Sequence, residues 1–367
     1  MADVSQIGCP PHFCVVGINH KKSPLEIREQ FYLRPVEREL LLSELKNNPQ
    51  VIAAIVLSTC NRTEIYAHML DAQPATLLNH LFAVKNLSFD QKWKQHFYIY
   101  THEKMVEHLF CVASGLDSII LGEKQIIGQV KEAIELSRKK GMLSKAFNIL
   151  SHLAVRAGKK AQHETQISYG GSSVSWAAVT MAQKLLGTLQ QKSVLLIGAG
   201  KMSKLAASHF TNRGISRLFV MNRTHEKAAS LAIQFNGTEI SPWDLKETLL
   251  RVDLCICAAG APHYLIAKDL VDAVMAGRQN RPIVFLDISM PRNIDPQVSL
   301  ISGVRLVTID DLDEIAQENI QKRQAAVEQV QGIISGKISE FYTKWQKSQE
   351  AQLSDVCAAS GLPNLKN

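Results

Sequence analysis

The sequence predicts a multidomain α/β protein, and three observations support that prediction. Its 367 residues are too many for one simple core, which favours two or three domains. The first hundred residues alternate short apolar strands with helices. Residues 172–308 form a second, different alternation of strands and helices, and one long helical pattern follows. Hydrophobic residues make up 46% and charged residues 20%, which are ordinary values for a globular chain.

The composition excludes several classes of protein. The longest aliphatic run, Val51 to Leu57, is far shorter than the roughly 20 residues of a membrane helix, so we expect no membrane span. The N-terminus carries an acidic residue and lacks a basic segment followed by an apolar one, so we expect no secretory signal. The seven cysteines are odd in number and scattered, which argues against a disulfide framework and favours a reducing cytoplasm.

The first hundred residues predict a unit of four strands and three helices. Ser23 is expected to cap a helix that has Pro24 in its first turn. The elements follow in the order β-α-β-β-α-β, which is the order of the split βαβ, ferredoxin-like unit. The strands are expected at Phe13–Ile18, Val51–Leu57, Glu64–Met69 and Phe97–Tyr100, with further helices over Pro35–Leu45 and near 75–85.

Between residues 101 and 165 the pattern becomes helical and basic. Thr101 is expected to cap a helix that ends at Gly115, and two more helices are expected over 124–139 and 143–163. Residues 131–165 carry eight lysines and arginines against three glutamates, an excess of five positive charges. Such a patch either attracts a polyanion such as RNA or forms a solvated helix face, and the count alone leaves both interpretations open.

Residues 172–308 predict a second sheet, made of parallel strands. Near-continuous apolar strands separated by helices are typical of a parallel sheet covered on both faces. Cys255 and Cys257 are alternate residues of one such strand, and we expect both in the core. The strands are expected at Val194–Ile197, Leu218–Met221, Leu254–Ala258 and Ile283–Leu286.

The first of these strands runs into a glycine turn typical of dinucleotide-binding domains, Gly198-Ala199-Gly200-Lys201-Met202-Ser203. Its glycines let backbone N–H groups approach a pyrophosphate at a helix N-terminus. Ser203 stands where a third glycine is usual, which predicts looser contact of helix and strand or an altered phosphate contact. After the second strand, Asn222-Arg223-Thr224 replaces the acidic residue of an NAD site. A guanidinium suits a 2′-phosphate, so Arg223 favours NADP(H), with an ordinary surface arginine as the alternative.

A second cluster of polar residues lies between two strands of the first domain, at Ser58-Thr59-Cys60-Asn61-Arg62-Thr63-Glu64. A cysteine at a strand end, beside an arginine and free backbone amides, can have a lowered pKa and react as a thiolate. The alternative is a small buried apolar side chain. A thiol nucleophile together with NADPH predicts an acyl reductase, in which the acyl group passes to sulfur as a thioester that hydride then reduces. No cysteine or histidine pair nearby has zinc spacing, so we expect no metal.

After Asp310-Asp311 one helical pattern runs to about Trp345. At 1.5 Å per residue this helix would be about 50 Å long. We expect its apolar stripe to rest on another domain or another chain. The last residues, 351–367, are expected to fray.

These motifs are similar to those of glutamyl-tRNA reductases, and they occur in the same order. The resemblance runs from about residue 13 to about residue 345. Besides the Cys60 cluster, the glycine turn and Asn222-Arg223-Thr224, it rests on Gly17-Ile-Asn-His20, Ser23-Pro-Leu-Glu-Ile-Arg28, Ala113-Ser-Gly-Leu-Asp-Ser118, Leu121-Gly-Glu-Lys-Gln125, Gln129, and Asp287 with Pro291-Arg292.

The resemblance implies NADPH-dependent reduction of glutamyl-tRNA(Glu) to glutamate-1-semialdehyde with release of tRNA, the first step of tetrapyrrole (porphyrin) biosynthesis by the C5 pathway. It makes Cys60 the nucleophile and His108 a residue needed for activity, acting in proton transfer. Without the resemblance, the sequence favours the interpretation of His108 as a half-buried histidine on a helix. Arg62 is expected to pair with the side-chain carboxylate of the substrate. The resemblance assigns substrate binding to Thr59, Asn61, Arg62, Ser118, Glu123, Lys124, Gln125 and Gln129.

The resemblance also implies a domain organisation. We expect a catalytic, tRNA-binding domain over residues 1–165, an NADPH-binding Rossmann-type domain over 166–308, and a long helix with part of a dimerisation region over 309–367. The family's C-terminal region joins two subunits into a V-shaped dimer, and because this sequence stops earlier we expect a weakened homodimer. Lys124 stands where proline is common, and Lys201 replaces an acid. The resemblance further suggests glutamate-1-semialdehyde aminotransferase as a partner.

Two other interpretations remain open at this point. A dehydrogenase of the shikimate type also tolerates Asn-Arg-Thr after its second strand, and it needs no nucleophilic cysteine. A non-catalytic regulator that binds glutamyl-tRNA would fit the early C-terminus. The intact Thr59–Arg62 cluster and the intact glycine turn argue against the regulator.

Overall fold

The structure is a computed structural model of the chain. It describes residues 12–71, 73–168, 173–279, 281–312, 315 and 324–360, with side chains up to residue 352. The predicted break at Gly170-Gly171 and part of the predicted long helix lie outside the described residues. Two sheets organise the described part, one of four strands and one of six.

The first sheet has the strand order β2-β3-β1-β4, and all its neighbouring strands are antiparallel. With helices between β1 and β2 and between β3 and β4, this is the ferredoxin-like unit predicted from the sequence, which is confirmed. Its strands are β1 (His12–Asn19), β2 (Val51–Ser58), β3 (Arg62–Met69) and β4 (Tyr98–Thr101).

Helices cover both faces of the first sheet because successive strand residues point to opposite sides. Val16 of β1 lies in one apolar cluster with Phe31 and Leu41, while its neighbour Val15 lies in another with Phe147. The first face is covered by α1 (Leu25–Phe31), α2 (Pro35–Asn47) and α3 (Ala75–Val84), and the second by α4 (His102–Ala113), α5 (Ile126–Lys139) and α6 (Lys145–Glu164).

The second sheet has the strand order β10-β9-β8-β5-β6-β7, and its strands are parallel. This is the order 3-2-1-4-5-6 of the doubly wound dinucleotide-binding fold. Cys255 and Cys257 are fully buried in it, as predicted. Its strands are β5 (Ser193–Ile197), β6 (Arg217–Met221), β7 (Thr238–Glu239), β8 (Leu254–Cys257), β9 (Ile283–Asp287) and β10 (Val304–Thr308), and its helices are α7 (Val174–Leu186), α8 (Lys201–Thr211), α9 (His225–Gln234), α10 (Leu245–Arg251) and α11 (Lys268–Gly277).

One predicted helix cap is wrong, and the other occupies the predicted position without a side-chain hydrogen bond. The residue before α1 is Pro24, and the Ser23 hydroxyl instead donates to the carbonyl of His96 at 3.0 Å. Thr101 does precede α4, but its side chain makes no capping hydrogen bond. The end of α4 is as predicted, because Gly115 has a φ of +77°, which a glycine adopts without strain.

The long C-terminal helix, α12 (Gln324–Ser360), extends further than predicted. Residues 351–360 are helical and not frayed, whereas residues 361–367 and most of the segment after Asp310-Asp311, where the helix was expected to start, lie outside the described residues. Phe341 is fully buried, with its ring centroid 6.1 Å from that of Phe13 in β1. The apolar stripe of α12 therefore rests on the first domain of its own chain, together with Phe147 of α6.

Ion pairs and an apolar cluster join the two halves of the molecule. Arg292, which follows β9, donates to Glu29 of α1 at 2.6 Å and to Glu26 at 3.0 Å. Ile119 of the first domain and Met290 of the second belong to one apolar cluster. The carboxyl end of β9, on the side of the sheet where this fold binds nucleotides, thus lies next to the first domain.

Candidate active site

Cys60 lies in the short turn that joins β2 to β3. The N–H of Thr59 donates to the carbonyl of Arg62 at 2.8 Å, and the N–H of Asn61 donates to Thr59 Oγ1 at 3.2 Å. The N–H of His20 donates to the carbonyl of Asn61 at 3.1 Å. The turn is therefore closed on itself and tied to the end of β1.

The Cys60 thiol is half-buried against the apolar cluster that the two halves share. Burial raises the pKa of Cys60 to about 12, and the charge of Glu123 also raises it, while Arg28 and Arg62 act in the opposite direction. The predicted lowering of the Cys60 pKa is therefore wrong for the chain by itself. The two arginines do not compensate for the loss of water around the sulfur.

Glu123 supplies a second titratable group beside Cys60. Its side chain is nearly buried in the loop between α4 and α5, and its N–H donates to the carbonyl of Ile120 at 3.1 Å. Burial raises the pKa of Glu123 to about 7, against the opposing charge of Arg62. This carboxyl group can therefore take up or release a proton near neutral pH.

Arg62 is held by two carboxylates of its own chain. Its Nη1 donates to Glu64 Oε1 at 2.7 Å and to Asp117 Oδ2 at 2.8 Å, and its Nη2 donates to the Asp117 carbonyl. Burial by itself would lower the pKa of Arg62, but Glu64 and Asp117 raise it well above its usual value. The expected pairing of Arg62 with a substrate carboxylate would have to compete with both, and Asp117 also pairs with Lys21.

His108 lies on α4 and contacts the same carboxylate. Its Nε2 is 2.9 Å from Glu64 Oε1 and 3.4 Å from the hydroxyl of Tyr98, and its side chain is 10% exposed. In the described part of the chain it makes no hydrogen bond to Cys60. From the sequence, Glu64 was only part of a motif, and its role as the shared acceptor was not predicted. The signal was an acidic residue directly before Ile65, Tyr66 and Ala67 in a predicted strand.

The second predicted substrate segment is the loop before α5 together with that helix's first turns. Ser118 and Gln125 are partly buried, Gln129 is partly buried on α5, and Lys124 is exposed. The side-chain nitrogen Nε2 of Gln125 is buried without a partner, and so is Oδ1 of Asn61. Because an unpaired buried polar atom costs about 1–3 kcal/mol, such atoms are suited to a polar ligand.

The glycine turn lies at the carboxyl end of β5, as predicted. Gly198 has a φ of +109°, and a Cβ there would lie 2.6 Å from the Ala258 carbonyl oxygen, so only glycine fits. Gly200 precedes α8, whose first residues are Lys201, Met202 and Ser203. Their N–H groups have no acceptor within the helix, which suits the phosphates of a nucleotide.

This nucleotide site differs from a standard one at Ser203 and in the turn after β6. Ser203 is completely buried and its hydroxyl has no partner, so looser contact between helix and strand is not observed. Asn222 Nδ2 donates to the carbonyl of Thr224 at 2.9 Å, which fixes the turn after β6. Arg223, within this turn, is exposed.

A buried acid organises the loop after β9. The carboxylate of Asp287 accepts the N–H groups of Ser289 at 3.1 Å and of Asn293 and Ile294 at 2.8 Å each. Burial raises the pKa of Asp287, against these hydrogen bonds. No role was predicted for Asp287 from the sequence. Since the loop also carries Arg292, this acid helps to fix the contact between the two halves.

The basic region 131–165 is partly neutralised, because four of its eight cations form ion pairs. The other four are exposed lysines. The pairs are Arg138 with Glu135, Lys140 with Glu39, Arg156 with Glu340 and Lys160 with Glu164; Lys201 of the glycine turn likewise pairs with Glu132.

The described residues contain neither a metal-binding cluster nor a membrane-spanning helix. No group of three or more histidine, cysteine, aspartate or glutamate side chains there is arranged to hold a metal ion. Among the same residues, no helix is both long enough and apolar enough to cross a membrane.

Comparison with known proteins identifies the family. The model of the glutamyl-tRNAGlu reductase N-terminal domain matches residues 16–165, and the model of shikimate/quinate 5-dehydrogenase matches residues 180–315. The glutamyl-tRNA reductase of Bacillus pumilus is 39% identical over 331 residues, which are 90% of this chain and 73% of that protein. The chain belongs to the glutamyl-tRNA reductase family.

Other members of the glutamyl-tRNA reductase family agree. The Deinococcus radiodurans protein is 36% identical over 349 residues, covering 94% of this chain and 96% of its own length. The solved structure of glutamyl-tRNA reductase from Methanopyrus kandleri is 34% identical, has a TM-score of 0.53, and matches over 95% of this chain and 84% of that one. The family resemblance and the fold class predicted from the sequence are thus confirmed, and the dehydrogenase-type domain implies a nucleotide cofactor.

Proposed function

We propose that this chain reduces the glutamyl group of glutamyl-tRNA(Glu) to glutamate-1-semialdehyde with NADPH and releases the tRNA, the first step of tetrapyrrole biosynthesis by the C5 pathway. The observation that supports this most is the environment of Cys60. Its turn is polar and closed by hydrogen bonds, and its thiol packs against the cluster shared with the nucleotide-binding domain. An acyl group on this sulfur would lie within reach of both halves.

The first step transfers the glutamyl group to Cys60. The sulfur bonds to the ester carbonyl carbon, the bond from that carbon to the ribose oxygen breaks, and the thiol proton ends on the ribose oxygen. Because the pKa of Cys60 is about 12, attack requires a proton acceptor or a change in local charge. Glu123 can serve as the proton acceptor because its own pKa is about 7. It can also provide the change in local charge: a substrate ammonium group beside Glu123 would offset the negative charge that raises the Cys60 pKa.

The second step reduces the thioester. When bound, the cofactor would supply hydride for the thioester carbonyl carbon. A thioester accepts hydride better than a carboxylate does, because sulfur donates less electron density to the carbonyl than oxygen does. Cys60 then acts as the leaving group: its bond to carbon breaks, the sulfur regains a proton, and the aldehyde is released. The chain's contribution is to hold the acyl group on a fixed sulfur while the carbonyl faces the nucleotide domain.

NADPH rather than NADH is the proposed cofactor. The glycine turn leaves space for a pyrophosphate against the N-terminus of α8, because a Cβ on Gly200 would have no heavy atom within 4 Å. Exposed Arg223, in a turn without an acidic residue, suits the 2′-phosphate. His108 remains a predicted activity residue, and the substrate-pocket residues around the turn remain predictions of the same kind.

The wider interactions are proposals from the family resemblance. We propose that the exposed lysines of residues 131–165 help to bind the tRNA, that the chain forms a homodimer, and that the labile aldehyde passes to glutamate-1-semialdehyde aminotransferase. We place the protein in the cytoplasm, where a free thiol stays reduced. Neutralising Lys139 and Lys159 together should weaken tRNA binding and reduce its salt dependence.

Trapping the acyl-enzyme tests the proposal. Protein mixed with glutamyl-tRNA without NADPH should gain the mass of a glutamyl group on the Cys60 peptide, and added NADPH should then release semialdehyde. Cys60→Ser should abolish turnover, while Cys111→Ser, which changes another half-buried cysteine, should keep it. Turnover by the Cys60→Ser protein would contradict acyl transfer and favour a shikimate-type dehydrogenase. Binding of tRNA without product would favour the non-catalytic regulator.

A further inference from the structure

Glu64 is a buried carboxylate that accepts hydrogen bonds from four side chains. It lies on β3 with no exposed surface. Its Oε1 accepts from Arg62 at 2.7 Å, from His108 at 2.9 Å and from Tyr98, and its Oε2 accepts from Tyr66 at 2.6 Å. The four donors come from two strands of the sheet and from α4, so this one carboxylate links three elements.

The charge state of Glu64 fixes the tautomer of His108. Burial by itself would raise the pKa of Glu64, but the charge of Arg62 and the hydrogen bonds of His108 and Tyr66 hold it well below its usual value. An ionised carboxylate only accepts hydrogen bonds, so Nε2 of His108 carries the proton in this contact. The imidazole is therefore engaged as an N–H donor.

The backbone beside Glu64 is shaped to admit these donors. Gly17 lies on β1, opposite Glu64 in the strand pairing. A Cβ on Gly17 would lie 2.6 Å from the hydroxyl of Tyr98 and 2.9 Å from Cγ of Glu64. The missing side chain is what lets the phenol reach the carboxylate.

Through Arg62, Glu64 is connected to the Cys60 turn. The guanidinium of Arg62 is fixed by Glu64 and Asp117, while its backbone carbonyl accepts the N–H of Thr59 at 2.8 Å and closes the turn. A displacement of the guanidinium would therefore be transmitted to the residues on both sides of Cys60. Among the described residues, the hydrogen-bonded path from His108 to this turn runs through Glu64 and Arg62.

We propose that His108 and Glu64 are positioning residues: His108 donates Nε2–H to Glu64, Glu64 holds Arg62, and Arg62 fixes the turn that carries Cys60. His108 then takes no part in proton transfer to substrate, contrary to the role expected from the family resemblance. This inference rests on the proposed function, because it assigns a purpose to Arg62 and Cys60 in that reaction. The titratable groups that face His108 are Glu64, Tyr66, Tyr98 and Tyr100, and the charge of Asp117 also interacts with it.

Two variants of His108 separate positioning from acid–base catalysis. His108→Gln keeps an N–H donor at a similar distance from the backbone, whereas His108→Leu removes it. We expect kcat/KM for glutamyl-tRNA to stay within about fivefold of wild type in His108→Gln, with an unchanged pH profile, and to fall about tenfold or more in His108→Leu. A loss of about a hundredfold or more in both, with one limb of the pH profile missing in His108→Gln, would establish acid–base catalysis and overturn the proposal. Full activity in both would overturn it as well.

A measurement on the unaltered protein keeps the proposal testable if a variant folds poorly. In ¹⁵N-labelled protein, the neutral form of the His108 imidazole should appear as the Nε2–H tautomer, assigned by its absence from His108→Gln. A Nδ1–H tautomer would contradict the contact with Glu64. The activity assay tests the proposed function and the positioning role separately. An inactive wild-type protein would contradict the proposed function. An active wild-type protein together with an inactive His108→Gln variant would contradict only the positioning role.

Discussion

The guanidinium of Arg28 and the carboxylate of Asp310 form a two-point ion pair, with distances of 2.6 and 3.2 Å. Asp310 also accepts the N–H of Leu25, the first residue of α1, at 3.1 Å. One acid that follows the last strand of the second sheet therefore fixes both the start of α1 and a buried arginine within it. Together with the pair between Arg292 and Glu29, it determines how the Cys60 turn faces the nucleotide-binding domain.

Removing Asp310 should destabilise this contact. In Asp310→Ala, Arg28 stays buried without its acid, and because the Asp310 side chain is 34% exposed we expect a moderate loss of about 2 kcal/mol in the free energy of unfolding. Glu26→Gln is the matched control: Glu26 pairs with Arg292 but is 59% exposed, so its loss should stay near 0.5 kcal/mol or less. Urea unfolding of both variants measures the difference. Equal losses would mean that Asp310 does not anchor the contact.

Replacing Glu123 should make Cys60 more reactive. The charge of Glu123 contributes to raising the Cys60 pKa to about 12, so Glu123→Gln should lower that pKa and increase the thiolate fraction. A shift of about one unit would accelerate alkylation by iodoacetamide roughly tenfold below the pKa. The rate is followed on the Cys60 peptide by mass spectrometry between pH 7 and 10.

Lys124→Gln provides the control for Glu123. Lys124 is the adjacent residue but is exposed, so its loss should leave the alkylation rate nearly unchanged. If Glu123→Gln reacted no faster than wild type, burial by itself would explain the protonated thiol. The glutamyl-transfer rate of Glu123→Gln should nevertheless fall, because the proposed proton acceptor is gone.

The sequence predicts the fold well where apolar periodicity is strong. The six long internal strands and the glycine turn are where the pattern places them, because a buried strand needs a continuous or alternating apolar surface. The edge strands β7 and β10 were missed. β7 has only two residues, and Arg305 interrupts the pattern of β10, since an edge strand is covered on fewer sides.

Contacts between distant segments could not be predicted from the sequence. Neighbouring residues suggested that Arg62 would lower the pKa of Cys60 and remain free for a substrate carboxylate. In the fold, Asp117 and Glu64 occupy Arg62, and burial determines the pKa of the thiol. The sequence likewise could not show that α12 packs on the first domain of its own chain, because an apolar stripe does not reveal which surface it will contact.

Arg223 should determine cofactor preference. If its exposed guanidinium binds the 2′-phosphate, Arg223→Gln should raise KM for NADPH about 10- to 100-fold, as expected for loss of a charge-assisted hydrogen bond. The KM for NADH, which lacks that phosphate, should change little. Arg217→Gln, at the exposed start of β6, the strand that precedes this turn, serves as the control and should alter neither. Equal effects on both cofactors would mean that Arg223 supports the turn and does not read the phosphate.

His68 should make the packing of α12 sensitive to acid. Its ring lies 6.4 Å from that of Trp345 on α12, and burial lowers its pKa from 6.5 to about 4, with the charge of His12 acting in the same direction. Because the folded pKa is the lower one, the unfolded chain binds the proton first as pH falls. The contribution of neutral His68 to the free energy of unfolding is thus fully present above pH 6.5 and is lost between pH 6.5 and 4, by at most about 3 kcal/mol.

Unfolding free energies of His68→Asn should fall less steeply over that window than those of wild type, whereas His163→Asn, at an exposed position, should follow wild type. Identical slopes for all three proteins would show that carboxylates alone cause the acid sensitivity.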